Sequence, residues 1–239
     1  DRSPSRGLGD VYKRQLKDLA DRGVSEAILA VNYLPDAIMS YFGQNDVGLK
    51  LTSILEDKPL GTAGAVRNAT SLLEDDTFLV CNGDVITDID VSELTAFHRN
   101  VAAEATISLI PTDNPSRYGI VPIDNNGQVK GFIEKPLGPD FETNLVNAGY
   151  YVMEPSTLDR IASDRPVSVE TEIFPKMAED KTLYAVPSET YWIDAGTPET
   201  YLKANLDLIN GQREKSINGV HIEASVSPDA VIESSIIGR

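Results

Sequence analysis

Two aspartates in this sequence follow residues typical of buried strands and stand beside glycines. Asp84 closes residues 82–84 (NGD), and Asp194 lies within residues 191–198 (YWIDAGTP), where a proline starts a helix. Carboxylates at strand ends suit Mg²⁺, which binds few protein carboxylates and completes its shell with water and phosphate oxygens. The pair therefore predicts a shared metal site. A carboxylate that merely satisfies the amides of its own turn is the alternative for Asp84.

A glycine-rich segment, residues 60–65 (LGTAGA), opens a predicted helix. Gly61 and Gly64 permit close backbone approach, and free amides at the helix start could hold a base, a ribose or a phosphate. The segment has neither the G-x-G-x-x-G spacing of a dinucleotide site nor the G-K-[ST] of a P-loop. Taken alone, an ordinary helix start explains it equally well.

Adjacent opposite charges, Glu134 and Lys135, end another predicted strand in residues 132–136 (FIEKP). A lysine there offers a positive charge to a phosphate, and a carboxylate can accept hydrogen bonds from sugar hydroxyls. For the dipeptide alone, a surface ion pair is the favoured explanation. The single cysteine, Cys81, has no histidine near it and is interpreted as a core residue rather than a nucleophile.

The elements that position these residues alternate between strands and helices. Strands are predicted at 26–31, 49–55, 77–80, 105–111, 119–123, 129–134, 148–153 and 182–186, and helices at 35–42, 63–73, 91–100, 158–161, 172–178 and 198–209. The alternation predicts a largely parallel α/β sheet with helices on both faces, whose ligands bind beyond the carboxyl ends of the strands. Asp90 is a predicted helix cap, and residues 124–127 (DNNG) are a predicted hairpin turn.

The composition excludes several kinds of partner. The chain has 239 residues, with 21 Lys and Arg against 37 Asp and Glu, and a formal net charge of −16. This acidic balance argues against nucleic acid and against an anionic membrane surface. No apolar run is long enough to span a bilayer, and one cysteine cannot form an internal disulfide, which favours the cytoplasm. His98 and His221 lie too far apart in sequence to indicate a zinc site.

The two ends of the chain differ from its middle. Residues 3–15 (SPSRGLGDVYKRQ) resemble translated adapter sequence, so we expect residues 1–14 to be non-native and the native domain to cover 15–212. Within residues 213–239, small and branched apolar residues recur every six positions, as at Val220, Val226 and Ile232. This period predicts the start of a parallel β-helix that continues past the chain, with a two-stranded tail as the alternative.

Six short motifs occur in a fixed order: LGTAGA, NGD, YGIVPID, EKP, NAGYYVM and YWIDAGTPETY. Together they closely resemble the nucleotide-sugar pyrophosphorylases, or sugar-1-phosphate nucleotidylyltransferases, over residues 15–211. The stretches SRYGIVPID, RPVSVETEIFP and YWIDAGTPETYLKAN look most like the mannose-1-phosphate guanylyltransferases. The resemblance implies a Rossmann-like, mostly parallel mixed sheet and a left-handed form for the predicted β-helix.

The resemblance also implies roles for individual residues. It implies that Asp84 and Asp194 hold Mg²⁺ and that Lys135 contacts the sugar phosphate, which makes these three the catalytic residues. Nucleotide contacts are implied for Leu60, Gly61, Thr62, Gly64, Asn82 and Gly83, and hexose contacts for Gly119, Glu134, Asn147 and Glu170. The implied reaction is in-line attack of a hexose 1-phosphate oxygen on the α-phosphorus of an NTP, with GTP and mannose 1-phosphate as substrates. The resemblance leaves open whether the protein forms a homo-oligomer.

One part of the family pattern is missing from this chain. The family's first strand and the glycine-rich loop that grips the triphosphate should precede Gln15, and residues 6–9 (RGLG) follow no buried strand. We therefore expect the 239-residue chain by itself to be inactive and poorly stable. Glucose-1-phosphate uridylyl- or thymidylyltransferase activity and a non-catalytic regulatory or scaffold role remain alternatives. A nicotinamide-dependent dehydrogenase is disfavoured because the dinucleotide fingerprint is absent.

Overall fold

The computed structural model describes residues 5–32, 35–134 and 142–213. In chain order its elements are α1 (Ser5–Asp21), β1 (Glu26–Val31), α2 (Pro35–Gln44), β2 (Lys50–Leu55), α3 (Gly61–Asn68), β3 (Phe78–Cys81), β4 (Val85–Thr87), α4 (Val91–Val101), β5 (Ala105–Pro111), β6 (Gly119–Ile120), β7 (Ile133–Glu134), β8 (Leu145–Met153), α5 (Phe174–Glu179), β9 (Leu183–Pro187), β10 (Trp192–Asp194) and α6 (Pro198–Ile209). Short 3-10 helices cover Ala69–Leu72, Pro115–Arg117 and Pro155–Arg160, and a π-helix covers Val169–Ile173.

Strand β8 organises the main sheet because it is long enough to pair with three other strands. Its first residues pair with β6 and its last with β3 along one edge, while β5 runs along the other edge, all antiparallel. β7 joins β6 antiparallel, and β9 joins β5 in parallel. Apart from this sheet, β1 and β2 form a parallel pair, and β4 and β10 form an antiparallel pair. The predicted mixed sheet is confirmed, but the described strand pairings are not mostly parallel as expected, because only β1–β2 and β5–β9 pair in parallel.

Alternating side chains along β8 supply both faces of the sheet with core residues. Tyr151 and Met153 pack in the cluster that includes residues of α3 and α5, whereas Tyr150 and Val152 pack in the cluster with residues of α1 and α4. Phe174 of α5 is fully buried and meets Tyr151 edge to face at 5.1 Å between ring centroids. Burial of a side chain of this size contributes about 2–3 kcal/mol. Helices therefore cover both faces, as the sequence predicts.

Most predicted elements are confirmed to within a few residues, and the differences lie in short segments. β6 ends at Ile120 and β7 begins at Ile133, with only an isolated bridge between Ile123 and Val129 to join the residues between them. The predicted helix at 158–161 is a 3-10 helix, and the one at 172–178 begins as a π-helix. The sequence does not predict β4, because three residues are too few to reveal an alternation.

The predicted helix cap and the predicted hairpin turn are both present, although the turn is built differently from a standard Asn-Gly turn. Asp90 caps α4 as expected, since its Oδ1 accepts hydrogen bonds from the amides of Ser92 and Glu93 at 2.8 and 3.2 Å. The hairpin turn at 124–127 is present, but among its residues only Gly127 has a positive φ, 80°. The Asp124 carboxylate accepts hydrogen bonds from the amides of Asn126 and Gln128, so its side chain helps to build the turn.

Both ends of the described chain bear on the predicted domain limits. Helix α1 begins at Ser5, ahead of the expected limit at 15, and its Val11 is 1% exposed against Ile86 and Ile193. Val11 of this helix thus belongs to the core, and the expectation that residues 1–14 are non-native stays a prediction. Residues 214–239, which carry the predicted β-helix, lie outside the described residues. None of the described helices has the length and apolar character needed to cross a membrane.

Candidate functional site

A short antiparallel ladder brings the two predicted metal ligands together. β4 starts directly after Asp84 and pairs with β10, which ends at Asp194, in a register that sets Asp194 opposite Val85. The Ala195 N–H extends the ladder by donating to the carbonyl oxygen of Asp84 at 2.8 Å. The two carboxylates therefore lie at the same end of the ladder.

Gly196 keeps the space between these carboxylates open. A Cβ at this position would lie 2.9 Å from Oδ1 of Asp194 and 3.1 Å from Oδ2 of Asp84, so one oxygen of each side chain reaches the same place. The Gly196 N–H also donates to Oδ1 of Asp194 at 2.8 Å, which fixes that carboxylate. A residue with a side chain would fill the gap that the two oxygens share.

The electrostatics of this pair suit a cation. Burial raises the pKa of Asp84 above its ordinary value, and the nearby negative charge of Asp194 raises it further. Among the described residues, neither carboxylate has an ion-pair partner, and no group of three or more His, Cys, Asp or Glu side chains could hold a metal. Two converging carboxylate oxygens fit Mg²⁺ whose other ligands are water and substrate phosphate.

Two aromatic residues, one of which feels the charge of Asp194, pack against each other beside β10. Tyr118 meets Trp192 of β10 edge to face at 5.3 Å between ring centroids, and burial together with the Asp194 charge raises the pKa of Tyr118. The indole N–H of Trp192 donates to the carbonyl oxygen of Ala148 in β8 at 2.9 Å, which ties β10 to the main sheet. Sequence reasoning assigns no role to either side chain or to Gly196. Trp192 and Gly196 lie within the second aspartate motif, residues 191–198, and this position is the signal that it passes over.

The glycine-rich segment begins α3 as predicted, but part of its hydrogen-bonding capacity is used by the protein itself. The amides of Ala63 and Gly64 both donate to the carbonyl oxygen of Val167, at 3.0 and 3.2 Å. Gly61 has a φ of 77°, and a Cβ there would lie 2.5 Å from the same oxygen. The expectation that the amides at this helix start are free is therefore wrong for these two. The close approach that Gly61 permits is to backbone at 167.

Glu170 joins two of the predicted contact sets. Its Oε2 accepts hydrogen bonds from the hydroxyls of Thr62 and Ser168, both at 2.7 Å. The Thr62 hydroxyl in turn accepts from the backbone N–H of Val169 at 2.8 Å. The predicted hexose contact Glu170 and the predicted nucleotide contact Thr62 thus touch each other directly, which fastens the start of α3 to the π-helix.

A cavity of about 180 Å³ lies where these segments meet. It is lined by Thr62, Val66, Val80, Cys81, Asn82, Gly83, Tyr151, Met153 and Val169. The structure therefore brings Asn82 and Gly83, which precede Asp84, together with Thr62 of the glycine-rich segment. Sequence reasoning misses Tyr151 as a lining residue, although a tyrosine within an apolar strand is a signal that a buried hydroxyl needs a partner.

Cys81 lines this cavity but is not suited to nucleophilic chemistry. Burial raises the pKa of its thiol well above the ordinary value, with only partial compensation from a hydrogen bond with Tyr150. A thiol in this state holds its proton at neutral pH. The interpretation of Cys81 as a core residue is consistent with this environment.

The predicted hexose contacts other than Glu170 fall on β6, β7 and β8. Gly119 pairs with Glu134 across β6 and β7, and a Cβ at Gly119 would lie 2.8 Å from Oε2 of Glu134. Asn147 of β8 donates through Nδ2 to the Tyr151 hydroxyl at 2.9 Å and accepts through Oδ1 from the Gly149 N–H at 3.0 Å. Lys135, the predicted phosphate contact, lies outside the described residues.

Comparison with known families gives this geometry a context. Residues 8–211 match the family described as nucleotidyl transferase, and this span includes both aspartates, the glycine-rich segment and the cavity. The chain belongs to the nucleotidyl transferase family. The match begins inside the segment 1–14 that the sequence sets apart.

Curated relatives of this nucleotidyl transferase share a common name. The chain is 36% identical to the mannose-1-phosphate guanylyltransferase of Mycobacterium tuberculosis, over 94% of this chain and 65% of that protein. It is 37% identical to the probable mannose-1-phosphate guanylyltransferase 1 of Oryza sativa subsp. japonica, over 94% of this chain and 63% of that protein. The chain thus spans a little less than two thirds of the length of these relatives.

Solved structures of this type support the same fold. HddC from Yersinia pseudotuberculosis, solved also in complex with GMP-PN, superposes with a TM-score of 0.70 at 30% identity, and the complex covers 81% of this chain and 83% of its own. UDP-glucose pyrophosphorylase in complex with UDP-glucose gives a TM-score of 0.70 at 15% identity, covering 81% of this chain and 84% of its own. The second likeness concerns the fold alone.

Proposed function

We propose that this nucleotidyl transferase moves a guanylyl group from GTP to mannose 1-phosphate in the cytosol, giving GDP-mannose and pyrophosphate. The observation that carries the proposal is the convergence of Asp84 and Asp194 on the space beside Gly196. The names of relatives at 36% and 37% identity support the choice of base and sugar. A chain with one free cysteine, Cys81, suits a reducing compartment.

The reaction needs little from the protein beyond position and charge. A phosphate oxygen of the sugar 1-phosphate attacks the α-phosphorus of the NTP, and the bond to pyrophosphate breaks on the opposite side, with no covalent intermediate. Asp84 and Asp194 would hold Mg²⁺, which when bound neutralises charge on the phosphate oxygens. The two aspartates and Lys135 are the catalytic residues of this proposal, and Lys135 would contact the sugar phosphate. The enzyme gains most of its rate from orientation and electrostatic stabilisation.

In this proposal the two substrates occupy neighbouring positions at the cavity and around it. The nucleotide would contact Leu60, Gly61, Thr62, Gly64, Asn82 and Gly83, of which Thr62, Asn82 and Gly83 border the cavity. The hexose would contact Gly119, Glu134, Asn147 and Glu170. Glu170 would serve at the junction of both, since it already accepts a hydrogen bond from Thr62. Turnover would thus require both substrates to be seated against the same short segments.

Turnover assays on the whole protein test the proposal. Pyrophosphate release is measured for GTP, UTP, dTTP and ATP, each combined with mannose 1-phosphate and with glucose 1-phosphate. We expect GTP with mannose 1-phosphate to give the highest kcat/KM, and chelation of divalent cations to abolish the signal. Preference for UTP or dTTP with glucose 1-phosphate would overturn the choice of substrates while retaining the reaction class.

A non-catalytic relative would behave differently in the same experiment. It would bind nucleotide without releasing pyrophosphate under any combination, and thermal-shift titration with each NTP would then report binding alone. The same titration on the 239-residue chain, run beside the turnover assay, separates binding from turnover. Turnover by the 239-residue chain would contradict the expectation that this chain by itself is inactive.

A further inference from the structure

Arg213, the last described residue, is a buried cation at the end of the β4–β10 ladder farther from the two aspartates. Its side chain is 3% exposed. Its Nε and Nη2 donate to Oδ1 of Asp88 at 2.9 and 2.6 Å, and Nη2 also reaches Oδ2 of Asp18 in α1 at 2.8 Å. One guanidinium therefore links α1 to the residues that follow β4.

The same side chain contacts β4 and the residue that directly precedes β10. Nη2 of Arg213 contacts the carbonyl oxygen of Thr87, the last residue of β4, at 3.3 Å. The guanidinium carbon lies 5.8 Å from the centroid of the Tyr191 ring, directly before β10. Thr87 and Asp88 also bond to the Tyr191 carbonyl, through the Thr87 hydroxyl at 2.9 Å and the Asp88 N–H at 3.0 Å. Arg213 thus holds the two strands together at the point where their pairing ends.

The ladder is short enough for the contacts of Arg213 at one end to affect the position of the residues at the other end. It pairs Trp192 with Thr87, Ile193 with Ile86 and Asp194 with Val85, a length of about 10 Å at the usual rise along a strand. Asp84 directly precedes Val85, and Asp194 is the residue that pairs with Val85. A change in stagger or splay at the Thr87–Tyr191 end would therefore alter the gap between the two carboxylates beside Gly196.

We propose that Arg213 is a positioning residue for the Asp84–Asp194 pair, acting through Asp88, Thr87 and Tyr191 on the β4–β10 ladder. The inference rests on the proposed metal role of the two aspartates. A residue that only stabilised the fold would not affect the distance between the two carboxylates. Loss of the Arg213 contacts should weaken cation binding at the Asp84–Asp194 pair as well as lower the melting temperature.

Terbium luminescence on the 239-residue chain measures this effect without turnover. Tb³⁺ prefers oxygen ligands, as Mg²⁺ does, and excitation of the only tryptophan, Trp192, two residues before Asp194, selects ions bound near the ladder. The titration of an Asp84→Asn, Asp194→Asn double variant is subtracted, because a chain with a net charge of −16 binds Tb³⁺ elsewhere. We expect Arg213→Met to raise the Tb³⁺ dissociation constant about tenfold, the lower limit for loss of groups that orient metal ligands.

Arg160→Met is the matched control. Arg160 makes a comparable set of charged hydrogen bonds, to Glu104 at 2.7 Å and Asp180 at 2.6 Å, away from the ladder. We expect both variants to lower Tm by about 5 °C or more, since each leaves carboxylates without their cation, and only Arg213→Met to weaken Tb³⁺ binding. Arg213→Lys keeps the charge but not the guanidinium group that bonds to several acceptors. Its Tb³⁺ dissociation constant should lie between those of wild type and Arg213→Met.

Each outcome decides the inference. Equal Tb³⁺ affinity in wild type and Arg213→Met, or equal weakening in Arg160→Met, would overturn the positioning role alone. Failure of the wild-type chain to bind Tb³⁺ more tightly than the double variant would overturn both this inference and the proposed metal role. If Arg213→Met does not fold, Asp88→Asn is measured in its place, because it weakens the same contact while retaining an acceptor oxygen. A dissociation constant unchanged by that substitution would count against the inference.

Discussion

The backbone N–H of Ala195 donates a hydrogen bond to the carbonyl oxygen of Asp84, 2.8 Å away. This bond extends the β4–β10 pairing by one step and determines which side chains share the end of the ladder. It places one carboxylate from each strand beside Gly196, where a Cβ would lie within 3.1 Å of both. The register of two very short strands therefore specifies the candidate metal site.

Asp194→Asn should abolish turnover of the whole protein while making the metal-free protein more stable. The substitution removes a proposed metal ligand, so we expect kcat to fall at least about 100-fold. It also removes a like charge that raises the pKa of Asp84. A carboxyl group with a raised pKa destabilises the folded state above its ordinary pKa, so relief of that effect should raise Tm by about 1–3 °C at neutral pH in the presence of EDTA.

Calorimetry of both proteins with and without Mg²⁺ checks this pair of effects. Wild type should gain stability from the cation, and Asp194→Asn should gain none. Full turnover by the variant, or a Tm below that of the metal-free wild type, would contradict the assignment.

Gly196→Ala should close the gap between the two carboxylates. The added Cβ would lie 2.9 Å from Oδ1 of Asp194 and 3.1 Å from Oδ2 of Asp84, so at least one must move. We expect the affinity for Mn²⁺, measured by electron paramagnetic resonance, to fall about tenfold or more. Gly43→Ala in α2 is the control, because nothing lies within 4 Å of its Cβ position. That substitution should leave Mn²⁺ binding unchanged and stabilise the helix by about 0.5–1 kcal/mol.

Gly61→Ala should destabilise the start of α3 by more than its positive φ explains. The φ of 77° strains an alanine, and the Cβ would also lie 2.5 Å from the carbonyl oxygen of Val167. Gly23→Ala separates the two effects, since Gly23 has a φ of 91° with nothing within 4 Å of its Cβ position. In urea titrations we expect a loss of about 1 kcal/mol for Gly23→Ala and about 2 kcal/mol more for Gly61→Ala. Equal losses would mean that the backbone at 167 yields freely.

The stability contributed by Glu154 should depend on pH. A hydrogen bond from His98 to its carboxylate, 2.9 Å long, lowers the pKa of Glu154 below 4.5, and Thr77 donates to the same oxygen at 2.8 Å. A lowered pKa stabilises the folded state above the unfolded value, and this contribution disappears as the pH falls through the folded value. The urea midpoint of wild type should therefore exceed that of Glu154→Gln at pH 6 and approach it below about pH 4.

The comparison needs a surface carboxylate as reference. Glu74 is exposed and lies outside this network, so Glu74→Gln should shift the midpoint equally little at both pH values. The effect of Glu154→Gln should be modest, because its side chain is 37% exposed and solvent screens the interaction. A gap between wild type and Glu154→Gln that widens on acidification would refute the assignment.

The sequence predicts the metal-site candidates better than it predicts how they meet. Asp84 and Asp194 stand out because each follows an apolar strand-like run and precedes or follows glycine. Their meeting depends on β4, whose three residues carry no readable pattern. Arg213 escapes notice for a similar reason, since its partners Asp88 and Asp18 lie 125 and 195 residues away in sequence.

The glycine-rich segment illustrates the opposite error. Local pattern correctly predicts a helix start with close backbone approach at Gly61. It cannot reveal that the approaching group is the carbonyl oxygen of Val167, because that contact joins segments about a hundred residues apart. Local sequence thus indicates where an unusual backbone occurs, and tertiary structure decides what uses it.

Strand β8 sets the distance between two segments that carry proposed substrate contacts. Ile120, next to Gly119, lies opposite Val146, and Cys81, next to Asn82, lies opposite Tyr150 on the same edge of β8. The positions next to Gly119 and Asn82 are therefore spaced by four residues of a single strand, about 13 Å. Loops around the site can vary in length without changing this spacing. One inserted residue in β8 would shift one segment by about 3 Å relative to the other, which is enough to prevent a bond from forming between two correctly bound molecules.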